Sequence, residues 1–245
     1  IRQLDLAPTT SRTHVGYMGC HGALNGLRVA AAFVTADPTA RVLLCAVELC
    51  ALHYFYGFDP QKLVANALFA DGAAAIVAGH ADVASPDEWR LAASGACLLP
   101  DSEDAMSWTL GDHGFEMTLS KQVPTVIARH LRPWLNDWLA PHGLSIEEVA
   151  SWAIHPGGPR ILDAAASALG LTAEALRPSR EVFASCGNMS SPTVLFILDR
   201  LRVGGAPRPC VALGFGPGLC AVSYTHLRDH ETKAKHVCRL LLEKK

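Results

Sequence analysis

The sequence predicts a layered α/β fold in which buried strands alternate with helices. Residues 41–48 form a nearly continuous apolar run, typical of a strand buried on both faces, and residues 209–219 predict a second buried strand. Between residues 21 and 36, apolar side chains recur at helical spacing. Half of the 245 residues are apolar and only 18% are charged. This composition favours a compact protein with a large core over a disordered chain.

Charge and cysteine usage exclude several classes of function. The net charge is -2 and there is no basic stripe, so no nucleic-acid partner is indicated. Glu48 and Asp71 interrupt the best apolar runs, and no stretch reaches the roughly 18 apolar residues of a membrane span. None of the eight cysteines lies in a Cys-x-x-Cys pair, which favours reduced thiols and disfavours a zinc site. We therefore expect a soluble, cytoplasmic protein without a metal.

The first chemically distinctive stretch is residues 16–22, which place the thiol of Cys20 on a predicted turn flanked by glycines. Cys20 precedes the predicted helix, whose unpaired N–H groups and dipole favour a thiolate over a thiol. Such a thiol is suited to attack a thioester carbonyl, which makes Cys20 a candidate nucleophile. The alternative is a small buried cysteine whose neighbouring glycines serve only the backbone geometry.

The rest of the first half has the pattern of a loop, a helix and a strand. In chain order these are an aromatic loop at 53–60, a helix at 61–69 and a small-residue strand at 73–79. A polar, proline-containing hinge at residues 81–88 then marks the predicted boundary between two halves. We expect residues 1–80 to form the first half and residues 81–222 the second.

The second half begins with strands and continues with helices. Strands are predicted at residues 89–99 and 108–119, with turns between and within these segments. Residues 121–139 predict a long amphipathic helix with Pro124 in its first turn and a kink at Pro133. A further helix is expected at 174–184.

A second chemical motif follows the next predicted strand, which ends at His155. Two prolines and two glycines then turn the chain into a helix predicted at residues 160–169. The carboxyl end of a strand is where α/β folds place reactive groups. A lone histidine on an apolar strand is more often a structural residue, so this motif alone leaves both interpretations open.

Two further turns complete the set of candidate positions. Asn188 precedes a helix predicted at residues 192–201, with Ser190 or Ser191 as its N-cap. The plain interpretation of Asn188 is a turn or cap residue. The last buried strand ends in a Gly-Phe-Gly-Pro-Gly loop at 214–218, whose small residues permit close approach to a ligand or simply form a tight turn.

The two ends of the chain differ in character from the middle. Residue 1 is not methionine and Cys20 follows after only 19 residues, so we expect part of the first half to be absent. Residues 223–245 are basic and resemble translated adapter sequence, so we expect a non-native tail; the alternative is a genuine basic helix. The tail histidines His226, His230 and His236 are accordingly not interpreted as a metal site.

Together these motifs closely resemble the type III polyketide synthases, the chalcone synthase-like branch of the thiolase superfamily. The resemblance covers nearly all of residues 10–222 in the family's order. It is carried by the turn around Cys20 and by LFADGAAAIV at 68–77, LLPDSE at 98–103, AIHPGGPRIL at 153–162, GNMSSPTVLFILDR at 187–200 and GFGPGL at 214–219. It implies a thiolase-like αβαβα fold with an incomplete N-terminal half, and a catalytic triad of Cys20, His155 and Asn188.

The chemistry that the resemblance implies is a decarboxylative Claisen condensation. Cys20 would accept an acyl group from a starter acyl-CoA as a thioester, aided by a thiolate–imidazolium pair with His155. Malonyl-CoA would lose carbon dioxide, and Asn188 and His155 would donate hydrogen bonds to the enolate oxygen. No metal or organic cofactor is implied, and family members are homodimers. The alternatives are a fatty-acid-type ketoacyl synthase and an inactive remnant.

The resemblance also implies residues that shape the cavity. Phe69 corresponds to a gatekeeper between the CoA tunnel and the cavity, and Met117 stands where the family has a second gatekeeper phenylalanine. Trp108 replaces a glycine of plant chalcone synthases and His53 replaces a threonine, so both would narrow or reshape the pocket. Ser190 aligns with a cavity serine. The candidate substrate-contacting turn residues are Gly157, Gly158, Gly216 and Pro217.

Overall fold

The structure, a computed structural model of the chain, describes residues 2–80, 89–111, 114–217, 220–226 and 236–241. The helices of this part are α1 Gly22–Ala36, α2 Pro60–Leu68, α3 Val123–Leu139, α4 Pro159–Leu169, α5 Arg177–Cys186 and α6 Ser191–Val203. The strands are β1 Arg41–Glu48, β2 Gly72–His80, β3 Trp89–Arg90, β4 Ala93–Leu98, β5 Met106–Gly111, β6 Gly114–Leu119, β7 Ser151–Ile154, β8 Cys210–Gly216, β9 Cys220–His226 and β10 His236–Leu241.

The strands form two four-stranded sheets and one hairpin. The first sheet has the order β1-β2-β10-β3, and the second has the order β4-β9-β8-β7. β7 and β8 are parallel, with Ile154 opposite Leu213, and the chain crosses between them through α4, α5 and α6. β5 and β6 form the antiparallel hairpin. The parallel pair brings the end of β7, and therefore His155, beside the middle of β8.

Helices α1 and α6 form the central layer of the fold. They contact each other; α1 also packs on β1 and β2, while α6 packs on β1, β2, β7 and β8. Residues from Ser191 to Leu201 of α6 are buried on nearly every side, as expected for a helix enclosed between two sheets. Helices α3 and α4 pack against each other and share a hydrophobic core with Ile154 and Leu213. The order of layers is thus sheet, helices, sheet, helices.

Most predicted elements are found within a few residues of their expected positions, but three details differ. β1 is not buried on both faces: Leu43 is 42% and Val47 is 61% exposed, because α1 and α6 cover one face of β1 and the other face lines an open cleft. The predicted strand at 89–99 is broken, since β3 and β4 belong to different sheets. A helix followed by an apolar strand also predicts a βαβ layer, and within the described residues the strand that follows α1 pairs with β2 in antiparallel fashion.

The structure describes only part of the predicted hinge and tail regions. The hinge at 81–88 falls outside the described residues, so the division at residue 80 stays a prediction. Within the predicted tail, residues 223–226 continue β9 and residues 236–241 form β10 against β2. These positions are strands rather than the alternative helix, and the non-native origin of the tail stays a prediction. None of the helices in the described ranges has the length and apolar character needed to cross a bilayer.

Candidate active site

Cys20 lies in a single 3-10 turn, Gly19–His21, that leads directly into α1. The approach to this turn is conformationally special, because Tyr17 and Gly19 have φ angles of 62° and 58°. A β-carbon on Gly19 would lie 2.8 Å from Pro217, so only glycine fits between the turn and the last loop. The thiol is 9% exposed. The glycine-flanked turn predicted from the sequence is therefore present and holds the thiol just beneath the surface.

The backbone of Asn188 forms a short bridge with Phe69. Its N–H donates to the carbonyl of Leu68 over 2.8 Å, and its carbonyl accepts from the N–H of Ala70 over 2.9 Å, so Asn188 and Phe69 pair as a short parallel bridge. The side-chain Oδ1 accepts the N–H of Ser190 over 2.8 Å. With Oδ1 occupied, the amide Nδ2 is left as a buried donor, and no acceptor lies within hydrogen-bonding geometry of it among the described residues.

Ser190 occupies the N-cap position of α6 as predicted, but its side chain makes no capping hydrogen bond. Its φ and ψ angles of 56° and −128° are strained for a residue with a β-carbon. Thr193 instead accepts the N–H of Met189 over 2.8 Å. The hydroxyl of Ser190 is thereby free to face Cys20, where its hydrogen bond lowers the pKa of the thiol.

His155 follows β7 and is fully buried, at 0% exposure. Its backbone N–H donates to the carbonyl of Leu213 in β8 over 2.8 Å. Neither ring nitrogen has a hydrogen-bond partner among the residues that the structure describes. An unpaired buried imidazole costs free energy, so its retention points to a ligand that supplies the missing partner.

Burial dominates the electrostatics of this site. It raises the pKa of the Cys20 thiol to about 11, against the lowering effect of the neighbouring Ser190 and Asn188 side chains. Burial, with a smaller contribution from the charge of His21, lowers the pKa of His155 to about 3. Burial therefore opposes a charge on the thiol alone or on the imidazole alone. The thiolate–imidazolium pair that the resemblance implies stays a prediction.

Glu48 and Cys50 are two neighbours that the sequence interpretation missed. The hydroxyl of Ser191 donates to Oε1 of Glu48 over 2.7 Å, which ties the end of β1 to the start of α6. Burial raises the pKa of Cys50 to about 12, and the charges of Glu48 and Cys20 add to that effect. A polar residue at the carboxyl end of an apolar strand, at Glu48, was the signal that could have revealed this side of the site.

Replacing Glu48 by glutamine is expected to accelerate alkylation of Cys20 by iodoacetamide. The negative charge of Glu48 raises the pKa of Cys20, whereas glutamine keeps an oxygen that accepts from Ser191. The pKa of the thiol then falls, and each unit of lowering gives about tenfold more thiolate at a given pH. Peptide mass spectrometry measures the rate. Glu174→Gln, at an exposed surface pair, should leave it unchanged, and equal rates in both variants would contradict this interpretation.

A cleft of about 2010 Å³ opens beside the site. Of the predicted cavity residues, those that line it are His53, Phe69, Trp108, Met117, Ser190 and Pro217. His53 and Trp108 approach each other edge to face, with ring centroids 6.3 Å apart, which narrows the cleft at that point. Gly157, Gly158 and Gly216 are not part of its described lining. Gly158 instead faces Leu68 and Gly216 packs against His21, so their evident role is close backbone packing.

Comparison with known proteins decides the family. A family profile described as the N-terminal domain of chalcone and stilbene synthases matches residues 1–82, and the profile of their C-terminal domain matches residues 90–225. The chain belongs to the chalcone and stilbene synthase family. These are the type III polyketide synthases, with a thiolase-like α/β fold.

Curated relatives agree with this assignment. The chain is 34% identical over 226 residues to the alpha-pyrone synthesis polyketide synthase-like Pks18 of Mycobacterium tuberculosis, an alignment that covers 89% of this chain and 58% of that protein. It is 36% identical over 224 residues to 1,3,6,8-tetrahydroxynaphthalene synthase of Streptomyces peucetius, covering 89% of this chain and 59% of the relative. The chain thus spans somewhat less than two thirds of these type III polyketide synthases.

Solved structures of the family superpose closely on the chain. PKS-I of the brown alga Ectocarpus siliculosus matches with a TM-score of 0.89 and 32% identity, over 93% of this chain and 63% of that one. The type III polyketide synthase domain of Steely1 from Dictyostelium matches at 0.85 and 28%, over 93% and 65%. Tetrahydroxynaphthalene synthase of Streptomyces coelicolor matches at 0.82 and 31%, over 92% and 65%. The thiolase-like fold predicted from the motifs is confirmed.

Proposed function

We propose that this type III polyketide synthase chain carries the acyl-transfer site of an enzyme that condenses malonyl-CoA onto an acyl-CoA starter. The observation that carries the proposal is an unpaired buried donor beside a shallow thiol, together with an unpaired buried imidazole. Asn188 Nδ2 and the His155 ring lack partners among the described residues, and Cys20 is in contact with the first of these side chains. Unpaired donors of this kind can stabilise a substrate oxygen that becomes negatively charged only during the reaction.

In the first proposed step, Cys20 takes the acyl group of the starter. Sγ attacks the thioester carbonyl carbon, the thiol proton passes to His155, and that proton leaves with the thiol of CoA. Because burial disfavours a charge on either group alone, the thiolate and the imidazolium form as a pair, before or during the attack. The product is an acyl thioester on Cys20 that holds the growing chain.

In the second step, malonyl-CoA loses carbon dioxide and its electrons form an enolate. The donors of Asn188 and His155 stabilise the enolate oxygen, and the carbanion then attacks the acyl carbonyl on Cys20, which expels the thiolate. The chemistry needs no metal or organic cofactor, because the CoA thioesters carry the activation. We propose that Phe69 and Met117 guard the entrance and that His53 and Trp108 limit the cavity, while Ser190 contacts the bound chain. We expect a homodimer in the cytoplasm.

Incubation with labelled malonyl-CoA and a panel of aliphatic and aromatic starter CoAs tests the proposal. Release of labelled carbon dioxide and labelled polyketide products are the expected results, and the preferred starter identifies the product class. Because the chain spans less than two thirds of its relatives, the assay includes a form extended by comparison with them. An absence of decarboxylation in both forms would overturn the proposal and leave a non-catalytic remnant as the explanation.

A further inference from the structure

His21 is a buried imidazole beside the nucleophile for which the proposed reaction has no use. It immediately follows Cys20 and is only 4% exposed. Burial lowers its pKa, partly offset by a backbone hydrogen bond. Specific contacts hold the buried ring of His21 in place, and these contacts indicate which protonation state it adopts and which groups its charge affects.

One contact fixes the protonation of the neutral ring. Nδ2 of Asn25, one helical turn further along α1, lies 2.7 Å from Nδ1 of His21. An amide nitrogen only donates, so Nδ1 accepts and the neutral ring carries its proton on Nε2. A proton added to Nδ1 would face another donor. Charging His21 therefore requires the amide of Asn25 to turn its oxygen towards the ring.

A second set of contacts links His21 to His155 through β8. A β-carbon on Gly214 would lie 3.1 Å from Cβ of His21, and one on Gly216 would overlap the imidazole ring. Gly214 directly follows Leu213, whose carbonyl accepts the backbone N–H of His155. The side chain of His21 and the backbone of His155 thus contact the same short segment of β8. A charge on one buried imidazole opposes a charge on the other, because water screens poorly in this region.

We propose that His21 is a positioning residue that controls the charge of His155: a neutral His21 permits His155 to accept the proton of Cys20, and a protonated His21 opposes it. This inference rests on the proposed roles of Cys20 and His155. The lowering of the pKa of His155 by His21 supports it. The consequence is that protonation of His21, and not that of His155, sets the acidic limit of thiol reactivity.

Few other charged groups face this pair. The elements packed against the turn are α1, α6 and β8. They present neutral groups, namely Asn25 from α1, Ser190 and Ser191 from α6, and Gly214 and Gly216 from β8. The titratable groups nearby are Cys20 on the same turn, His155 after β7, and Glu48 of β1, which acts on Cys20 and is held by Ser191.

The test is the pH profile of Cys20 alkylation by iodoacetamide, which requires no CoA substrate. In this reaction a bond forms between Sγ and carbon, the carbon–iodine bond breaks, iodide leaves, and the thiol proton passes to His155. His21→Asn, which cannot become charged, should move the acidic limb of the profile to lower pH. His21→Phe, which preserves an aromatic ring, should move the limb in the same direction.

Asn25→Asp should move the acidic limb in the opposite direction, to higher pH. A carboxylate beside Nδ1 stabilises the protonated ring of His21, so that His21 becomes charged at a higher pH. For a displacement of one pH unit, the rates on the acidic limb differ by about tenfold. If His21 had only a structural role, the variants would slow alkylation at every pH, and the midpoint of the acidic limb would not move in opposite directions in the His21 variants and in Asn25→Asp.

The exposed His142→Asn is the matched control and should reproduce the wild-type profile. Identical midpoints in the wild type and in folded His21→Asn, His21→Phe and Asn25→Asp variants would overturn the proposal. Circular dichroism establishes that each variant is folded. If the displacements occur while malonyl-CoA is not decarboxylated, the coupling of the two imidazoles stands and the proposed polyketide synthesis fails instead.

Discussion

Replacing Cys20 by alanine is expected to abolish acyl loading and polyketide formation. The acyl group can be held only by a nucleophile at this position in the proposed reaction, and alanine offers none. Loss of the nucleophile in comparable covalent mechanisms costs at least about a thousandfold in rate. Intact mass spectrometry after exposure to a starter acyl-CoA measures the outcome directly. The wild type should gain the mass of one acyl group and the variant should gain none.

The matched control for this experiment is Cys186→Ala. Cys186 is a partly exposed thiol at the end of α5, away from the turn that carries Cys20. Its loss should leave acyl loading unchanged. Undiminished acylation of Cys20→Ala would mean that another thiol, such as Cys50 beside the cleft, accepts the acyl group. That result would contradict the role proposed for Cys20.

The sequence predicted the central strands and turns well, because their signals are local. The strand before the His155 motif is recognisable from its apolar residues and the following prolines and glycines, and β7 ends at Ile154, one residue before the predicted end. β1 shows the limit of this reasoning. Its bounds are those predicted, but an apolar strand does not reveal whether another layer covers its second face, and Val47 is 61% exposed.

The sequence predicted those candidate site residues that belong to a recognisable local turn motif. Cys20 and Asn188 were identified from their turns, and the structure brings the two side chains together. The pKa of the Cys20 thiol could not be predicted from the local sequence in the same way. Whether a helix terminus or burial governs the thiol depends on the surrounding packing, and burial prevails at Cys20.

His21 and Glu48 escaped notice for a related reason. Neither lies in a motif of its own, and each acquires a possible role only through a residue distant in the chain. Glu48 is tied to Ser191, 143 positions away, while His21 is brought near His155 by the course of β8. Contacts of this kind depend on the crossover between the sheets, which periodicity and composition do not specify.

The strained backbone at Ser190 and the unpaired atoms at Asn188 and His155 belong to one physical pattern. Each raises the free energy of the folded protein, and the first two lie beside the same thiol. A site arranged in this way is stabilised by a ligand whose oxygen accepts from the free donors. We therefore expect stability and activity to respond in opposite directions when such a donor is removed.

His155→Leu is expected to show this opposition most strongly. Leucine has a similar volume and no polar atom, so it removes two buried nitrogens that have no partner among the described residues. The free energy of unfolding should rise by about 1–2 kcal/mol, measured by urea denaturation. Decarboxylation of malonyl-CoA should fall by about 10²–10³-fold, because the enolate loses one of its donors. The exposed His142→Leu should change neither quantity appreciably.

The gain in the free energy of unfolding of His155→Leu over the wild type should also grow as the pH falls. The pKa of His155 drops from its ordinary 6.5 to about 3 on folding, so below pH 6.5 the unfolded wild type takes up a proton that the folded form does not. Wild-type stability is therefore lost as the pH falls through this window, by up to about 1.4 kcal/mol per unit, while leucine contributes no such loss. A gain that is independent of pH would show that His155 titrates normally in the folded protein, and equal or lower stability at all pH values would show that its nitrogens have partners.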